Sequence, residues 1–303
     1  MGRDIDRSEF TDRDFTEFTR RLHAETEELA RWFDEGQLDE EHWIAGFELE
    51  AWLADREWAP APLNQALLER MDDPLLTNEL ARFNLELNTE ARPLEGDVLG
   101  RMEHSLADTW RRCRNGAAAL GARLLMVGVL PTVRQSDLNH EAMTPIARYA
   151  ALNEQILRQR GGRALMIDIC GRERLQTEHP DVMLESAATS FQIHLQVPAS
   201  RAADHFNASL LVSGPMVAVS ANSPYLFGHD LWDETRIPLF EQAVEAGGFE
   251  GASHGPPRRV GFGSGFVRES LIECFRENLE HFPAILPMQF DEAEAPILPH
   301  LQL

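Results

Sequence analysis

Closely spaced glutamates are the first residues in this sequence with the means to do chemistry. Glu48 and Glu50 lie in a segment whose apolar and polar residues alternate, the pattern of a β-strand with one buried face. Alternate residues of a strand point to the same side, so the two carboxylates project together about 6.5–7 Å apart. Such neighbours repel each other unless a proton or a cation lies between them.

Two further polar pairs are candidates to complete a cation site. Glu79 and Glu86 are seven residues apart, and Gln192 and His194 alternate on a later predicted strand. Carboxylate oxygens with one nitrogen ligand suit Mg²⁺ or Mn²⁺, and two such ions bind triphosphate oxygens. The alternative is a solvent-facing sheet surface whose Glu, Asn, Gln and His residues serve solubility alone, with His194 an ordinary hydrogen-bonded histidine.

Alternating segments predict the strands that carry these residues, at about 44–53, 82–88 and 189–197. Two more uniformly apolar strands are predicted at 122–130 and 164–169. Half-polar strands favour an antiparallel sheet with one solvent-facing side. Because helices are interspersed with these strands, the predicted fold class is α+β.

Helical periodicity accounts for much of the remaining chain. A first amphipathic helix begins at the N-cap Thr11 and ends at Gly36. We divide the chain into a tail and helix at residues 1–40 and one larger domain at residues 41–303. The glycine- and proline-rich residues 247–265 form a predicted long loop of a kind that usually has a functional role. Further helices are predicted at residues 97–119, 145–160, 201–219, 237–246 and 267–281.

The charge balance excludes several classes of function. The 303 residues include 50 acidic and 28 basic side chains, a net charge of −22, and every basic residue is an arginine. P-loop nucleotide sites, kinase-type ATP sites and pyridoxal Schiff bases require lysine and are excluded. A strongly acidic chain also lacks the positive surface that nucleic acids require.

The sequence predicts a cytoplasmic protein that does not cross a membrane. The longest apolar runs, such as residues 124–130, are far shorter than the roughly 20 residues that a spanning helix needs. The charged N-terminus has no apolar signal region. Cys113, Cys170 and Cys274 are widely separated and are interpreted as free thiols in a reducing compartment.

Five sequence blocks occur in an order that resembles a known family. They are GFELE at 46–50, TNELARFNLELNT at 77–89, VGVLPT at 127–132, TSFQIHLQV at 189–197 and SANSPYLFG at 220–228. Together they resemble the glutamate–cysteine ligases of the plant and proteobacterial type, which belong to the glutamine-synthetase-like carboxylate–amine ligases. The resemblance covers roughly residues 40 to 285.

The resemblance implies a curved antiparallel sheet shaped as a half funnel, with helices on its outer face and metal ions and ATP on its concave face. In the family each carboxylate of the GxExE pair helps to hold one metal ion, which implies metal ligation by Glu48 and Glu50. Two glutamates seven residues apart complete one metal site in related ligases, which implies the same role for Glu79 and Glu86.

The resemblance leaves one metal ligand open and implies a catalytic arginine. The family's histidine from the later strand aligns with Gln192, and His194 lies two residues further, so both are candidates. Arg236 lies where the family has an arginine that contacts substrate or phosphate. The alternative for Arg236 is a surface ion pair with Asp233 or Glu234.

The SANSP block implies that Asn222 and Ser223 lie in a turn near the bound nucleotide or substrate. The alternative is that these residues serve turn formation alone. In the family a late E-x-R segment supplies one more metal ligand, and we find no such segment before Leu303. We therefore expect the domain to be incomplete at its C-terminal end and the chain as given to be weakly active or inactive.

The reaction implied by the resemblance is ATP-dependent amide formation with Mg²⁺ or Mn²⁺. ATP phosphorylates the γ-carboxylate of glutamate, and the amine of cysteine displaces the phosphate. The expected partners are these small molecules, with neither nucleic acid nor membrane among them. Two alternatives remain: a ligase that joins a different acid or amine, and a non-catalytic member that binds nucleotide or amino acid in a regulatory role.

Overall fold

The computed structural model describes residues 5, 9–245, 259–288, 290 and 297–301. The helices found there are α1 (Asp12–Glu35), α2 (Asn64–Met71), α3 (Val98–Ala119), α4 (Ala147–Gln159), α5 (Ala202–Ser220), α6 (Arg236–Ala243) and α7 (Ile272–His281). The strands are β1 (Ile44–Ala54), β2 (Leu76–Asn78), β3 (Asn84–Asn88), β4 (Arg92–Pro93), β5 (Arg123–Leu125), β6 (Leu165–Cys170), β7 (Arg174–His179), β8 (Phe191–Gln196), β9 (Tyr225–Leu226) and β10 (His229–Asp230).

The long strand β1 organises a six-stranded antiparallel sheet. Its residues 48–52 pair with β3, which in turn pairs with β2. Its residues 44–49 pair with β8, its residues 52–54 with β5, and its first two residues with β4. The predicted α+β class and the predicted antiparallel sheet are confirmed, and β6 and β7 form a separate antiparallel pair.

One face of the sheet is packed against helices. Leu49, Ala51 and Leu53 of β1 are buried together with Leu85 and Leu87 of β3. They contact apolar residues of α2 and α3, among them Leu67, Cys113 and Ala117. Because side chains alternate along a strand, this packing directs the intervening residues of β1 and β3 to the opposite face.

The opposite face is buried at one end and open at the other. Its successive cross-strand pairs are Glu48 with Asn88, Glu50 with Glu86, and Trp52 with Asn84. Trp52 is fully buried in a second core, to which α4, β6 and the 3₁₀ turn Val182–Ala187 contribute Tyr149, Ile167 and Met183. Glu48, Glu50 and Glu86 therefore lie at the edge of this second core and face away from the helices α2 and α3.

The first helix has the predicted ends. Thr11 caps α1 through a capping box with Asp14, and Gly36 ends it in the left-handed conformation at φ 66°. Leu29 and Ala30 pack against Ile272 of α7. The division of the chain at residue 40 stays a prediction.

Several predicted elements differ from the structure. The strand predicted at 122–130 ends at Leu125, because the backbone at Val127 and Gly128 bonds to Thr189 instead of continuing a ladder. The helix predicted from residue 267 begins at Ile272, because Asn207 binds the backbone of Val267 in an irregular segment.

Other differences concern short or edge elements. Both α2 and β7 were missed, because an eight-residue helix and a mostly polar strand give little periodicity. Every residue of β8 is exposed, since no described element covers its apolar side. Of the loop predicted at 247–265, residues 247–258 lie outside the described residues, as does the end of the predicted helix 237–246.

Two predicted absences can be compared with the structure. No helix among the described residues is long and apolar enough to cross a membrane. Cys113, Cys170 and Cys274 are all free, as the sequence predicted.

Truncation of one covered and one uncovered leucine on the helix-facing side tests the packing of the sheet. We expect Leu87→Ala to lower the free energy of unfolding by about 2–5 kcal/mol, because it leaves a cavity in the packed face. The control Leu195→Ala truncates a half-exposed side chain of β8 and should change the free energy of unfolding by less than about 0.5 kcal/mol. Urea unfolding measures both, and equal losses would contradict the burial of Leu87 beneath α2 and α3.

Candidate functional site

Three glutamate side chains meet on the open face of the sheet. Glu50 comes from β1, Glu86 from the opposite position of β3, and Glu79 from the turn that follows β2. One carboxylate oxygen from each lies within 4.8 Å of the others. These residues form what we call the carboxylate cluster. The structure thus brings together three of the six predicted metal ligands.

Two members of the carboxylate cluster are held by hydrogen bonds. The Glu50 carboxylate accepts from both the backbone N–H and the hydroxyl of Ser190, each at 2.8 Å. The buried Glu86 accepts from the hydroxyl of Thr77 at 2.8 Å and from the amide of Asn88 at 2.7 Å. These donors fix the orientation of both carboxylates before any ligand arrives.

Burial and mutual repulsion disfavour charge in the cluster. Burial, followed by the charges of Glu50 and Glu86, raises the pKa of Glu79 to about 9. Burial also raises the pKa of Glu50, although the hydrogen bonds from Ser190 oppose the shift. A group of carboxylates with raised pKa values favours either protons or a cation between them.

A further carboxylate near the cluster was not predicted. Glu185 lies in the 3₁₀ turn Val182–Ala187, and burial, followed by the charge of Glu50, raises its pKa to about 7. The available signal was a single acidic residue in the stretch 182–188, whose other residues are apolar apart from Ser186. That signal alone does not reveal which residues Glu185 faces.

The remaining predicted ligands lie beside the cluster, towards the open end. Nε2 of His194 is 3.3 Å from Oε2 of Glu48, and the histidine is about half exposed. Gln192 is opposite Glu48 in the ladder, and its amide donates to the Ser190 hydroxyl at 3.4 Å. A hydrogen bond from the same amide opposes the rise in the pKa of Glu50. Gln192 therefore lies next to the cluster, whereas His194 pairs with Glu48.

A cavity of about 300 Å³ opens at this end of the sheet. Gly46, Glu48, Thr89, Ala91 and His194 are among its lining residues. Its size is at the lower limit of small-molecule sites, and its walls combine one carboxylate and one imidazole with the amides of Asn88 and Gln196 and with apolar side chains. It can admit a small polar molecule next to the carboxylate cluster.

Arg236 lies in a separate group of hydrogen-bonded residues. It forms a bidentate ion pair with Glu234 and donates to the carbonyl of Thr189. The predicted alternative of an ion pair is therefore found with Glu234, although the pair is largely buried, while Asp233 pairs with Arg172. Despite burial, the bonds from the guanidinium hold the pKa of Glu234 below its usual value.

Asn222 and Ser223 belong to the same group. Oδ1 of Asn222 accepts from the backbone N–H of Gly128 at 3.0 Å. The Ser223 hydroxyl donates to Glu234, and the backbone N–H of Arg236 donates to that hydroxyl at 3.3 Å. These hydrogen bonds fix the turn, and the nucleotide-binding role of both residues stays a prediction.

The donor set of the cluster fits the predicted cation. Mg²⁺ and Mn²⁺ prefer oxygen ligands, and the three carboxylates offer only oxygens at a spacing that one ion can bridge. Bound divalent charge would also offset the repulsion that raises the pKa of Glu79.

Comparison with known proteins identifies the region that contains this site. The family model described as glutamate-cysteine ligase family 2 matches residues 44–268, about three quarters of the chain. The match begins at the first residue of β1 and includes every member of the carboxylate cluster. No curated protein matches the chain.

Replacement of Glu79 by glutamine tests the electrostatics of the cluster in the absence of metal. Because the pKa of Glu79 is raised in the folded protein, its protonated carboxyl contributes fully to the free energy of unfolding below the ordinary pKa of 4.5. This contribution is lost as the pH rises towards 9. In EDTA we expect Glu79→Gln to melt like the parent near pH 4.5. At pH 8 its melting temperature should be higher by roughly 2–4 °C per kcal/mol of stability that the parent loses by keeping Glu79 protonated.

Thermal unfolding at several pH values measures this difference. Glu103→Gln, on the exposed side of α3, is the matched control and should show no pH-dependent difference from the parent. A Glu79→Gln protein that is less stable than the parent at pH 8 would contradict the raised pKa of Glu79.

Proposed function

The chain belongs to glutamate-cysteine ligase family 2, and from this premise we propose that it joins the γ-carboxylate of glutamate to the amine of cysteine in an ATP-dependent reaction. Membership points to a ligase, and the finer assignment of ATP, glutamate and cysteine is the proposal. The observation that carries it is the carboxylate cluster, which lies on the open face of the sheet within the matched range.

The proposed reaction has two steps. A γ-carboxylate oxygen of glutamate attacks the γ-phosphorus of ATP, and ADP leaves. The cysteine amine, after losing a proton, attacks the resulting acyl phosphate at carbon, and inorganic phosphate leaves as the amide forms. Both steps concentrate negative charge on phosphoryl oxygens, so catalysis depends mainly on positioning and charge neutralisation.

Divalent ions, when bound, supply this charge neutralisation. We propose that Glu50, Glu79 and Glu86 hold one Mg²⁺ or Mn²⁺ ion. Glu48 and His194 are the proposed ligands of a second, with Gln192 between the two positions. Support comes from the oxygen spacing in the cluster and from the Glu48–His194 pair. The chain's contribution is to hold these donors in place.

The same reasoning extends to the architecture and the location of the protein. We propose that residues 41–303 contain the catalytic domain and that the sheet around β1 is part of a glutamine-synthetase-like half funnel. The packing of α2 and α3 on one face, with the carboxylates on the other, supports this proposal. Free thiols at Cys113, Cys170 and Cys274 are in keeping with the cytoplasmic location that we propose.

Measurement of ADP formation tests the proposed reaction. The purified chain is incubated with Mg²⁺ and ATP alone, with added glutamate, and with glutamate plus a panel of amines that includes cysteine. We expect turnover, weak in the chain as given, only with glutamate and an amine, and fastest with cysteine. A different preferred amine or acid would change the substrate assignment within the ligases. Mg²⁺-dependent ATP binding without turnover would favour a regulatory role. The absence of both binding and turnover would reject the proposal.

Substitutions in the cluster give a second prediction. We expect Glu50→Gln and Glu86→Gln each to lower kcat for ADP formation at least about 100-fold, because each removes a charged ligand of the proposed ion. Excess Mn²⁺ should restore part of this loss. The matched control Glu103→Gln should retain the parent rate, and full activity in Glu86→Gln would exclude the cluster from catalysis.

A further inference from the structure

The guanidinium of Arg236 is engaged by the protein around it. Its Nε and Nη2 donate to the two oxygens of Glu234 at 2.6 and 2.7 Å, and its Nη1 donates to the carbonyl oxygen of Thr189 at 2.5 Å. Only 23% of the Arg236 side chain is exposed. A bidentate arginine with a third bond to the backbone fixes the three groups relative to one another.

Thr189 directly precedes the serine that contacts the carboxylate cluster. The Thr189 backbone N–H donates to the carbonyl of Gly128 at 2.9 Å, and its hydroxyl donates to the carbonyl of Val127 at 2.6 Å. Ser190 then binds both oxygens of Glu50, and the Glu50 N–H donates back to the Ser190 carbonyl at 2.9 Å. The arginine contact and the carboxylate contact thus lie on adjacent residues, and the Thr189 carbonyl and the Ser190 N–H belong to the same peptide group.

The Arg236 guanidinium packs closely against the backbone of Gly128. A Cβ atom placed on Gly128 would lie 2.6 Å from Nε of Arg236 and 2.6 Å from Oδ1 of Asn222. Asn222 in turn accepts from the Gly128 N–H. Only glycine leaves room for Arg236 to reach the backbone of Thr189 here.

We propose that Arg236 and Ser190 are positioning residues for the proposed cation site. Arg236 fixes the carbonyl of Thr189, which fixes the backbone of Ser190, and Ser190 aligns both oxygens of Glu50 within the carboxylate cluster. The inference rests on the proposed function, since it concerns the cation that the cluster would bind. It gives Arg236 a role that does not require contact with substrate.

Cation binding in the absence of substrate separates the two roles of Arg236. A substrate-binding arginine affects KM for ATP or glutamate and leaves the affinity for a divalent ion alone unchanged. A positioning arginine changes that affinity even when no substrate is present, because residues that orient metal ligands typically contribute 10–100-fold to affinity.

The experiment titrates the full chain with Mn²⁺ and measures free Mn²⁺ by electron paramagnetic resonance, without ATP, glutamate or amine. We expect Ser190→Ala and Arg236→Gln each to raise the Kd for Mn²⁺ about 10-fold. Ser190→Thr keeps the hydroxyl and should restore the parent affinity. Arg236→Lys keeps the charge but loses the bidentate geometry, and should remain weakened.

Two matched controls have the same chemistry elsewhere. Ser200 donates its N–H and hydroxyl to the Glu40 carboxylate, at 3.1 and 2.6 Å, much as Ser190 does to Glu50. Arg172 binds two carboxylates and a backbone carbonyl on the surface. Ser200→Ala and Arg172→Gln should leave the Kd for Mn²⁺ within twofold of the parent.

Each outcome decides the inference. An unchanged Kd for Mn²⁺ in Ser190→Ala overturns it, as does a raised KM for ATP or glutamate in Arg236→Gln with unchanged Mn²⁺ affinity. If Arg236→Gln does not fold, Ser190→Ala with its Ser190→Thr rescue decides. If the parent binds no Mn²⁺, the proposed cation site fails. The positioning role of Arg236 is then tested by hydrogen exchange of the Ser190 amide, which this role predicts to be faster in Arg236→Lys than in the parent.

Discussion

Repulsion among buried carboxylates is the constraint on which the open face of this sheet depends. Glu50, Glu79 and Glu86 approach within 4.8 Å of one another at the edge of a dry core, where a charge is less well solvated than in water. Backbone ladders from β1 to its neighbours hold them there against the repulsion. The donors around Glu50 and Glu86 offset part of the cost, and a divalent cation would offset more.

The local pattern of the sequence predicted much of the sheet, because alternation depends only on which face is buried. The strands around Glu50, Glu86 and Gln192 were found where alternation placed them, and α1 has the predicted caps. Alternation within a strand does not determine the register between strands. Glu50 lies opposite Glu86 through the alignment of β1 with β3, which alternation within either strand alone does not specify.

The contacts that were not predicted are those between distant parts of the chain. Ser190 reaches Glu50 across 140 residues, and Arg236 reaches Thr189 across 47. The apolar pattern predicted a strand through Val127, yet the Val127 carbonyl accepts from the Thr189 side chain outside any ladder. Long-range hydrogen bonds of this kind override local propensity, and they also decide which polar residues remain available to a ligand.

The position of Trp52 has an optical consequence. Its indole is fully buried, stacks on Phe83 with the ring planes 2° apart, and lies one cross-strand pair beyond Glu50 and Glu86. Trp43, Trp58 and Trp232 are by contrast substantially exposed. A buried indole emits at shorter wavelength than an exposed one and responds to nearby charge, so the blue edge of the intrinsic fluorescence reports on the carboxylate cluster. The molecule therefore carries its own spectroscopic probe for the cation binding proposed at the cluster, and no label is needed.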